Sequence, residues 1–499
     1  MADSTEETKE WVLDPETEYR FELDPDTTLA IKIIRGSAEV FGAELSEGVT
    51  HLFGSECKAA VYTWQGCTLQ IRRPSTEYVS DETPMAAYMN LHLAFEQMRV
   101  RALQSTYDDP VHADEVAGVP DGPPRVLVLG PENAGKTTAC KILMNYAVRT
   151  GQGWTLMFVS VDPSEGGWTV PGTVSACPMK MPIPTQSPAN PLGSTVTSAP
   201  TALSSGALLP LVYWYGHAEV RQNPLLMDRL IRNLGENVNS RHLGDSLGNC
   251  SGVIIDTPSS FATGIAAAPS DKKYALVKAC VDAFQTHSLI LMTVNVILII
   301  GHEKLNVEMQ RIFGASMSVV KVPKSGGVVD LDHAYRERVH GYQIHHYMYG
   351  THFSPPPGLV AAGTSGDESV DASDARLSPV STAVGFDDLA IYRIGGESIA
   401  PSSALPIGAT RAVSELQPVQ VDPGARGSGL LNAVLALLAP LHPDENERYD
   451  EEVLDLAVSA FLVVTAVDMS NRKLTILMPG PGPVAGRTAI VGSFEWQDQ

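Results

Sequence analysis

The chain has 499 residues, 44% of them hydrophobic and 18% charged, which excludes collagen, coiled coil and wholesale disorder and, at roughly 100–200 residues per domain, leaves room for about three domains. Lys and Arg number 35 against 57 Asp and Glu, a formal charge of −22. Non-specific nucleic-acid binding needs cations that neutralise phosphates, so a bulk attraction to RNA or DNA is excluded, and any such contact is local or runs through a partner.

The opening MADSTEETKEW is acidic and polar and does not read as a signal or transit peptide. From about Thr17 to Arg73, the short runs Tyr19–Leu23, Leu29–Ile34, Ala38–Phe41, Ala59–Trp64 and Thr68–Ile71 alternate with the turn sequences DPD, RGS, SEG and WQG. That spacing predicts a small β-sandwich or barrel. A helix is expected over Thr83–Ser105, where Ala87, Leu91, Ala94, Phe95, Met98 and Ala102 recur at helical steps. A polar linker, Tyr107–Pro124, follows.

Strands then alternate with helices to about Gly350. Val126–Leu129, Leu156–Val161, Val253–Ile255 and Val294–Ile300 are near-continuous apolar runs, the pattern of a parallel sheet buried on both faces. The longest apolar stretch, Leu289–Ile300, is interrupted by Thr293 and Asn295 and falls short of the ~20 apolar residues of a membrane span; a soluble protein is expected. The six cysteines form no CxxC pair, which suits reduced thiols. Pro182–Ser205 is rich in Pro, Ser and Thr and reads as an insertion, and Pro355–Thr382 has the composition of a disordered loop. After Phe386 the expected elements are the strands Ala390–Tyr392, Ala460–Ala466, Leu474–Met478 and Ala489–Val491 and one helix, Leu430–Leu438. The expected class is α/β: a β-rich sandwich domain over 1–106, a central parallel-sheet domain over 107–350 and a small mixed α/β domain over 351–499.

The strongest chemical signal is Gly130-Pro131-Glu132-Asn133-Ala134-Gly135-Lys136-Thr137, a G-x-x-x-x-G-K-[ST] phosphate loop (P-loop) entered by the run Arg125–Leu129 and left by a helical stretch, Thr137–Thr150. Glycines let the backbone wrap phosphates, and N–H groups at the helix start supply donors. Lys136 is expected to reach the β- and γ-phosphates and the Thr137 hydroxyl to hold Mg²⁺. Asn133, Ala134, Gly135 and Thr138 complete the nucleotide cradle. Two carboxylates end apolar strands and are candidates to touch the metal or its water, Asp162 and Asp256. Asp256 has the usual Walker B pattern; Asp162 lies where kinases often place a base, and Thr137 with Asp162 is the metal-side pair carried forward. No N-K-x-D segment follows a later strand and no D-x-x-G starts at Asp256, so an adenine nucleotide is expected. His340, His345, His346 and His352 lack acids or cysteines at ligand spacing and read as a polar surface strand or loop. Lys324 and Ser325 precede Gly326-Gly327, which reads as a turn.

The segments TEYRFELD, SAEVFGAEL, KAAVYTWQGCTLQI, GPENAGKTT, LMNYAVRTG, VDPSEGGWTVPGTVSA, PLVYWYGH and VPKSGGVV appear in that order. Together they resemble the Clp-one family of cleavage and polyadenylation factors, relatives of polynucleotide 5′-hydroxyl kinases. The resemblance runs from about Glu16 to Val329 and is looser beyond. It implies a β-rich N-terminal domain closing over the adenine of ATP, a central P-loop kinase-like domain and a small C-terminal domain. Glu18 and Lys58 are the positions that match the family's adenine-side contacts. The resemblance further implies a nuclear subunit of the pre-mRNA cleavage and polyadenylation machinery. Its partners would be the cleavage-factor subunit that binds the RNA polymerase II tail and other cleavage factors, with RNA contacted mainly indirectly.

Three departures bear on activity. Active relatives carry D-x-x-Q where this chain has Asp162-Pro163-Ser164-Glu165, and a Trp where this chain has Ser260 beside Phe261. They also offer lid arginines; between His302 and Val322 this chain has Arg311 alone, with Ser318 at the second matching position. The resemblance with these departures implies a scaffold that holds ATP with Mg²⁺, with no residue taken as catalytic. An active polynucleotide 5′-hydroxyl kinase is the alternative, and an ATPase switch a third reading.

Overall fold

A computed structural model describes residues 8–72, 76–107, 122–193, 209–264, 273–284, 294–351, 370–371, 375–395, 416–425, 427–440 and 450–498. The N-terminal unit comprises β1 (Thr8–Leu13), β2 (Thr17–Glu22), β3 (Leu29–Gly36), β4 (Ala38–Val40), β5 (Ala43–Leu45), β6 (Thr50–Phe53), β7 (Lys58–Thr63), β8 (Cys67–Arg72) and β9 (Thr76–Ser80). They form two sheets, β1-β8-β3-β6 with Val370–Asp371 at its edge and β5-β4-β7-β2-β9. Between the sheets Tyr19, Phe21, Ile31, Phe53, Val61 and Leu69 make one core. This is the expected sandwich. β1, β5, β6 and β9 lie outside the runs read from the sequence: β5 and β6 are short, and β1 and β9 are largely exposed.

Helix α1 (Met85–Tyr107) leads from the sandwich to the central unit. That unit runs β10 (Arg125–Leu129), α2 (Lys136–Arg149), β11 (Leu156–Ser160), β12 (Thr173–Met179), β13 (Leu211–Trp214), α3 (Pro224–Leu243), α4 (Ser246–Ser251), β14 (Val253–Asp256), α5 (Ser260–Thr263), α6 (Ala275–Ala283), β15 (Val296–Ile300), α7 (Glu303–Phe313), β16 (Ser318–Val322) and α8 (His333–Tyr349). The strand order is β13-β12-β11-β14-β10-β15-β16. β11, β14, β10, β15 and β16 are parallel, as expected. β12 and β13 are antiparallel, so the expected parallel sheet is a mixed one. No helix separates β11 from β12, and a strand that returns without a crossover must run antiparallel.

The C-terminal unit differs more. Seven strands pair in the order Val380–Gly385, Lys473–Met478, Val458–Asp468, Ala433–Leu438, Arg487–Glu495, Leu389–Ile394 and Pro418–Gln420. The expected helix Leu430–Leu438 is instead the central strand, Ala433–Leu438. Its Ala433, Leu435 and Leu437 enter one core, while Val434, Ala436 and Leu438 enter the other. A short, uniformly apolar run has no period to distinguish a strand from a buried helix. Among the described residues this unit holds only a 3₁₀ turn, Asp450–Leu454, besides strands, so its mixed α/β reading becomes a β-sheet within an α/β whole. Leu435→Ala should cost about 2–5 kcal/mol, read as a lowered melting transition.

Two further expectations are corrected. His340, His345 and His346 lie on helix α8, not on a surface strand or loop. Asp332 caps it by accepting from the Tyr335 N–H at 2.7 Å, and Ile344, Tyr347 and Met348 recur at helical steps in the core against the C-terminal sheet. His352 lies outside the described residues. Of Pro355–Thr382, residues 355–369 and 372–374 also lie outside them, but Val370–Asp371 pairs with β6 and Val380 begins a strand. Within 182–205, residues 194–205 are likewise outside. All six cysteines are free and buried.

Candidate functional site

The carboxyl ends of β10, β11 and β14 face a cleft of about 790 Å³, and the N-terminal sandwich forms its opposite wall. The phosphate loop joins β10 to α2. Asn133 and Gly135 take φ values of 52° and 83°, left-handed backbone of the kind that turns successive N–H groups into an anion-binding concavity. Lys136 is buried, and its ammonium donates back across the loop to the Pro131 carbonyl at 3.2 Å.

The Thr137 hydroxyl donates to Asp256 Oδ2 at 2.6 Å. The other oxygen, Oδ1, is buried without a partner. Burial pushes the Asp256 carboxyl up to about 7, against the opposing pull of the Thr137 hydroxyl and the Lys136 ammonium. Asp162, also buried, accepts from the Ser164 N–H at 3.0 Å and hydroxyl at 2.6 Å. Asp256, not Asp162, is therefore the carboxylate bonded to Thr137. Glu165 is half-buried beside them; burial and the Asp162 charge raise its carboxyl, while Arg336, Lys136 and Lys141 lower it. A threonine hydroxyl and a carboxylate with an unpartnered oxygen are hard donors of the kind Mg²⁺ takes, with phosphates and water filling the rest of its shell. Among the described residues no group of three or more His, Cys, Asp or Glu could hold a metal, so a protein-only cage is not what the donor set offers.

Glu18 on β2 and Lys58 on β7 both line the sandwich wall of the cleft, with Met85 and Tyr88 between the domains. Glu18 is buried, accepting from Arg20 Nε at 2.7 Å and the Thr83 hydroxyl at 3.3 Å. Lys58 donates to Glu22 at 2.6 Å and sits 5.5 Å from the centre of the Tyr335 ring. The Gly326-Gly327 turn presses on the same wall: a Cβ at Gly327 would lie 2.6 Å from Arg20 Nε. Asn133, Ala134, Gly135, Lys136, Thr137 and Thr138 line the opposite, phosphate-side wall.

Neither Arg311 nor Ser318 lines the cleft. Arg311 is exposed in the last turn of α7, and Ser318 opens β16 opposite Val296, at the end of the sheet away from the phosphate loop. Arg336 on α8 is the arginine that reaches the loop, donating to Asn133 Oδ1 at 2.7 Å and lying 3.1 Å from Glu132. Two residues on, Arg338 grips Glu56 of the sandwich at 2.6 Å. The available signal was a pair of arginines, Arg336 and Arg338, nine and eleven residues after Gly327. Ser260 is exposed on the cleft, but the neighbouring Phe261 is buried in the core and does not face it.

Comparisons with known proteins agree along the chain. The N-terminal beta-sandwich domain of polyadenylation factor matches residues 12–102, the mRNA cleavage and polyadenylation factor CLP1 P-loop matches 130–350, and the pre-mRNA cleavage complex II protein Clp1 matches 377–498. A Laccaria bicolor protein named mRNA cleavage and polyadenylation factor CLP1 is 65% identical over 99% of both chains. A Mycosarcoma maydis protein of the same name is 33% identical over 97% of this chain and 98% of its own. A solved Clp1p–Pcf11p complex superposes with a TM-score of 0.77 at 23% identity, covering 99% of both chains. Among the described residues no helix is long and apolar enough to cross a membrane.

Proposed function

The chain belongs to the mRNA cleavage and polyadenylation factor CLP1 family, and from that premise we propose that it is an ATP-binding scaffold subunit of the nuclear pre-mRNA cleavage factor, acting in 3′-end cleavage and polyadenylation. The observation that carries the reading is a complete phosphate loop, with Thr137 and Asp256 bonded at 2.6 Å, roofed by a separate β-domain. Lys136 leaves the Pro131 carbonyl for the β- and γ-phosphates, and the N–H groups from Asn133 to Thr138 wrap them. Thr137 and Asp256 hold Mg²⁺, which neutralises phosphate charge when bound. Glu18 and Lys58 flank the adenine under the sandwich, and enclosure between domains shields the γ-phosphate from water. A solved structure pairs Clp1p with Pcf11p; the proposed partner here is the corresponding cleavage-factor subunit, the one that binds the RNA polymerase II tail. Denaturing freshly purified protein should release close to one ATP per chain. No nucleotide, or ADP alone, would count against the proposal.

A pH dependence follows from Asp256. Burial holds its carboxyl up at about 7, against about 3.9 for an unperturbed Asp. Between those values the folded state holds a proton that the unfolded chain does not, so this group's contribution to stability declines as pH rises. Metal binding needs the carboxylate free. Mg²⁺–ATP affinity should therefore rise with pH to about 7 and then level, with Lys136, Asp162, Glu165 and Cys140 as the facing groups. Because ATP itself titrates, the measurement is calorimetric affinity against pH for wild type and Asp256→Asn; the variant should lose the part of the slope due to the protein.

A further inference from the structure

Asn145 stands in the interior of α2, the helix that leaves the phosphate loop, where asparagine is a poor choice for the helix itself. It is fully buried, and its amide bonds three backbone groups outside the helix. Nδ2 donates to the Phe41 carbonyl at 2.8 Å and to the Ile183 carbonyl at 3.2 Å, and Oδ1 accepts from the Ile183 N–H at 2.7 Å. Phe41 lies at the tip of the hairpin between β4 and β5 of the sandwich. Ile183 lies in residues 182–193, the start of the segment that reads as an insertion. One side chain thus ties the phosphate-loop helix to two separate segments.

Both segments wall the cleft. Phe41 and Gly42 take φ values of 48° and 81°, the left-handed pair that a two-residue hairpin turn requires. Such turns favour Asn-Gly; a phenylalanine in the first place is strained, and it lines the cleft. Residues 182–193 are equally fixed. Ile183 and Leu192 enter the core that Ile142 and Tyr146 of α2 share, and the Gln186 carbonyl accepts from the Gly54 N–H of the sandwich at 2.8 Å. Thr185, Ser187 and Pro188 line the cleft beside Phe41. Lys141, one helical turn before Asn145, donates to the Thr185 hydroxyl and lies 5.7 Å from the centre of the Phe41 ring. Phe41, Lys141 and Thr185 therefore form one face of the cleft, with Asn145 at its root.

We infer that Asn145 is a positioning residue that seats the Phe41 tip and residues 182–193 as a third wall of the nucleotide cleft, and that this wall sets how long a bound nucleotide stays. The inference rests on the nucleotide-binding reading above. The phosphate loop and the sandwich wall hold the two ends of the nucleotide, and the third wall closes the side between them. Arg149 with Glu39 and Arg338 with Glu56 join the sandwich to the central unit independently, so loss of the Asn145 amide frees the wall without parting the domains.

Two measurements on the full chain separate seating from residence. Hydrogen exchange without nucleotide reads the seating: the Ile183 and Gly54 amides should exchange slowly in wild type and about tenfold faster or more in Asn145→Ala. Residence is read by loading the protein with labelled Mg²⁺–ATP and chasing with excess unlabelled ATP. The label should leave Asn145→Ala about tenfold faster or more, the scale of one or two net hydrogen bonds. Thr185→Val keeps the shape of the side chain and removes the hydroxyl that Lys141 meets. It should melt like wild type without nucleotide and still release the label faster, which a loss of general stability would not produce. Unchanged exchange at Ile183 in Asn145→Ala, or unchanged release from either variant, would leave Asn145 a packing residue and overturn the inference. If Asn145→Ala does not fold, release from Thr185→Val decides. A wild-type chain that takes up no label would instead refute the nucleotide reading itself, and this inference with it.

Discussion

Replacing Lys136 and Thr137 together by alanine is expected to empty the cleft. The first change removes the ammonium that meets the β- and γ-phosphates, and the second removes the hydroxyl that shares Asp256 with the metal. A ligand bound only to the folded state stabilises by mass action, about 4 kcal/mol when present at 1,000 times its Kd. The wild type should therefore melt higher with Mg²⁺–ATP than without, and the double variant should melt at one temperature in both. The domains themselves should stay joined. Arg149 pairs with Glu39 at 2.6 Å, Asn145 donates to the Phe41 carbonyl at 2.8 Å, and Arg338 holds Glu56, all independently of nucleotide. Thr137→Ala also removes the hydroxyl bond to Asp256 Oδ2, so Thr137→Ser, which restores the hydroxyl, should recover binding when Lys136 is kept. If the emptied protein holds its cleavage-factor partner as tightly as wild type, ATP is not structural for assembly.

The phosphate loop was legible because its chemistry is local: eight consecutive residues carry the turn, the cation and the hydroxyl, and the strand and helix beside them are strongly patterned. The choice between Asp162 and Asp256 was not local. Both end apolar strands, and only the sheet order shows which of them lies beside Thr137. β14 lies between β11 and β10, so Asp256 ends directly beside the loop that leaves β10, while Asp162 ends one strand further away. Strand order is a property of the assembled sheet and leaves no mark on the segment. Arg336 was hidden in the same way. It lies some 200 residues from Asn133 in sequence and belongs to the site only because α8 folds back across it.

The misread elements share a cause. Ala433–Leu438 is apolar at every position because it is central to its sheet and meets a core on each face, so its period vanished. Helix α8 was masked in the opposite sense. Its many histidines suggested a surface, yet Ile344, Tyr347 and Met348 supply the face that packs on the C-terminal sheet. The sandwich, by contrast, announced itself through turns, because turn residues act within four positions whatever the strands later pair with.

Transfer of the γ-phosphate to a 5′-hydroxyl RNA end is expected to stay at the background set by Lys136→Ala. Holding ATP and using it are separable tasks here. Transfer needs an in-line hydroxyl, a base and charge stabilisation on the moving phosphoryl group. Asp162 could accept a proton, but one of its oxygens already serves Ser164. Glu165 adds negative charge to the cleft beside it. The acceptor side presents Pro258, Ser259 and Ser260, with the neighbouring ring, Phe261, turned into the core. Stacking on an aromatic ring is worth about 1–3 kcal/mol per base, and Pro258, Ser259 and Ser260 supply no such ring to an incoming nucleotide. Arg311, the cation expected in a lid, stands exposed at the far end of its helix. The charge of −22 supplies no long-range attraction for a polyanion. The assay is labelled-phosphate transfer to single-stranded and duplex 5′-hydroxyl RNA. Robust transfer that Lys136→Ala and Asp162→Asn both abolish would make the protein a polynucleotide kinase, and the scaffold reading would fall.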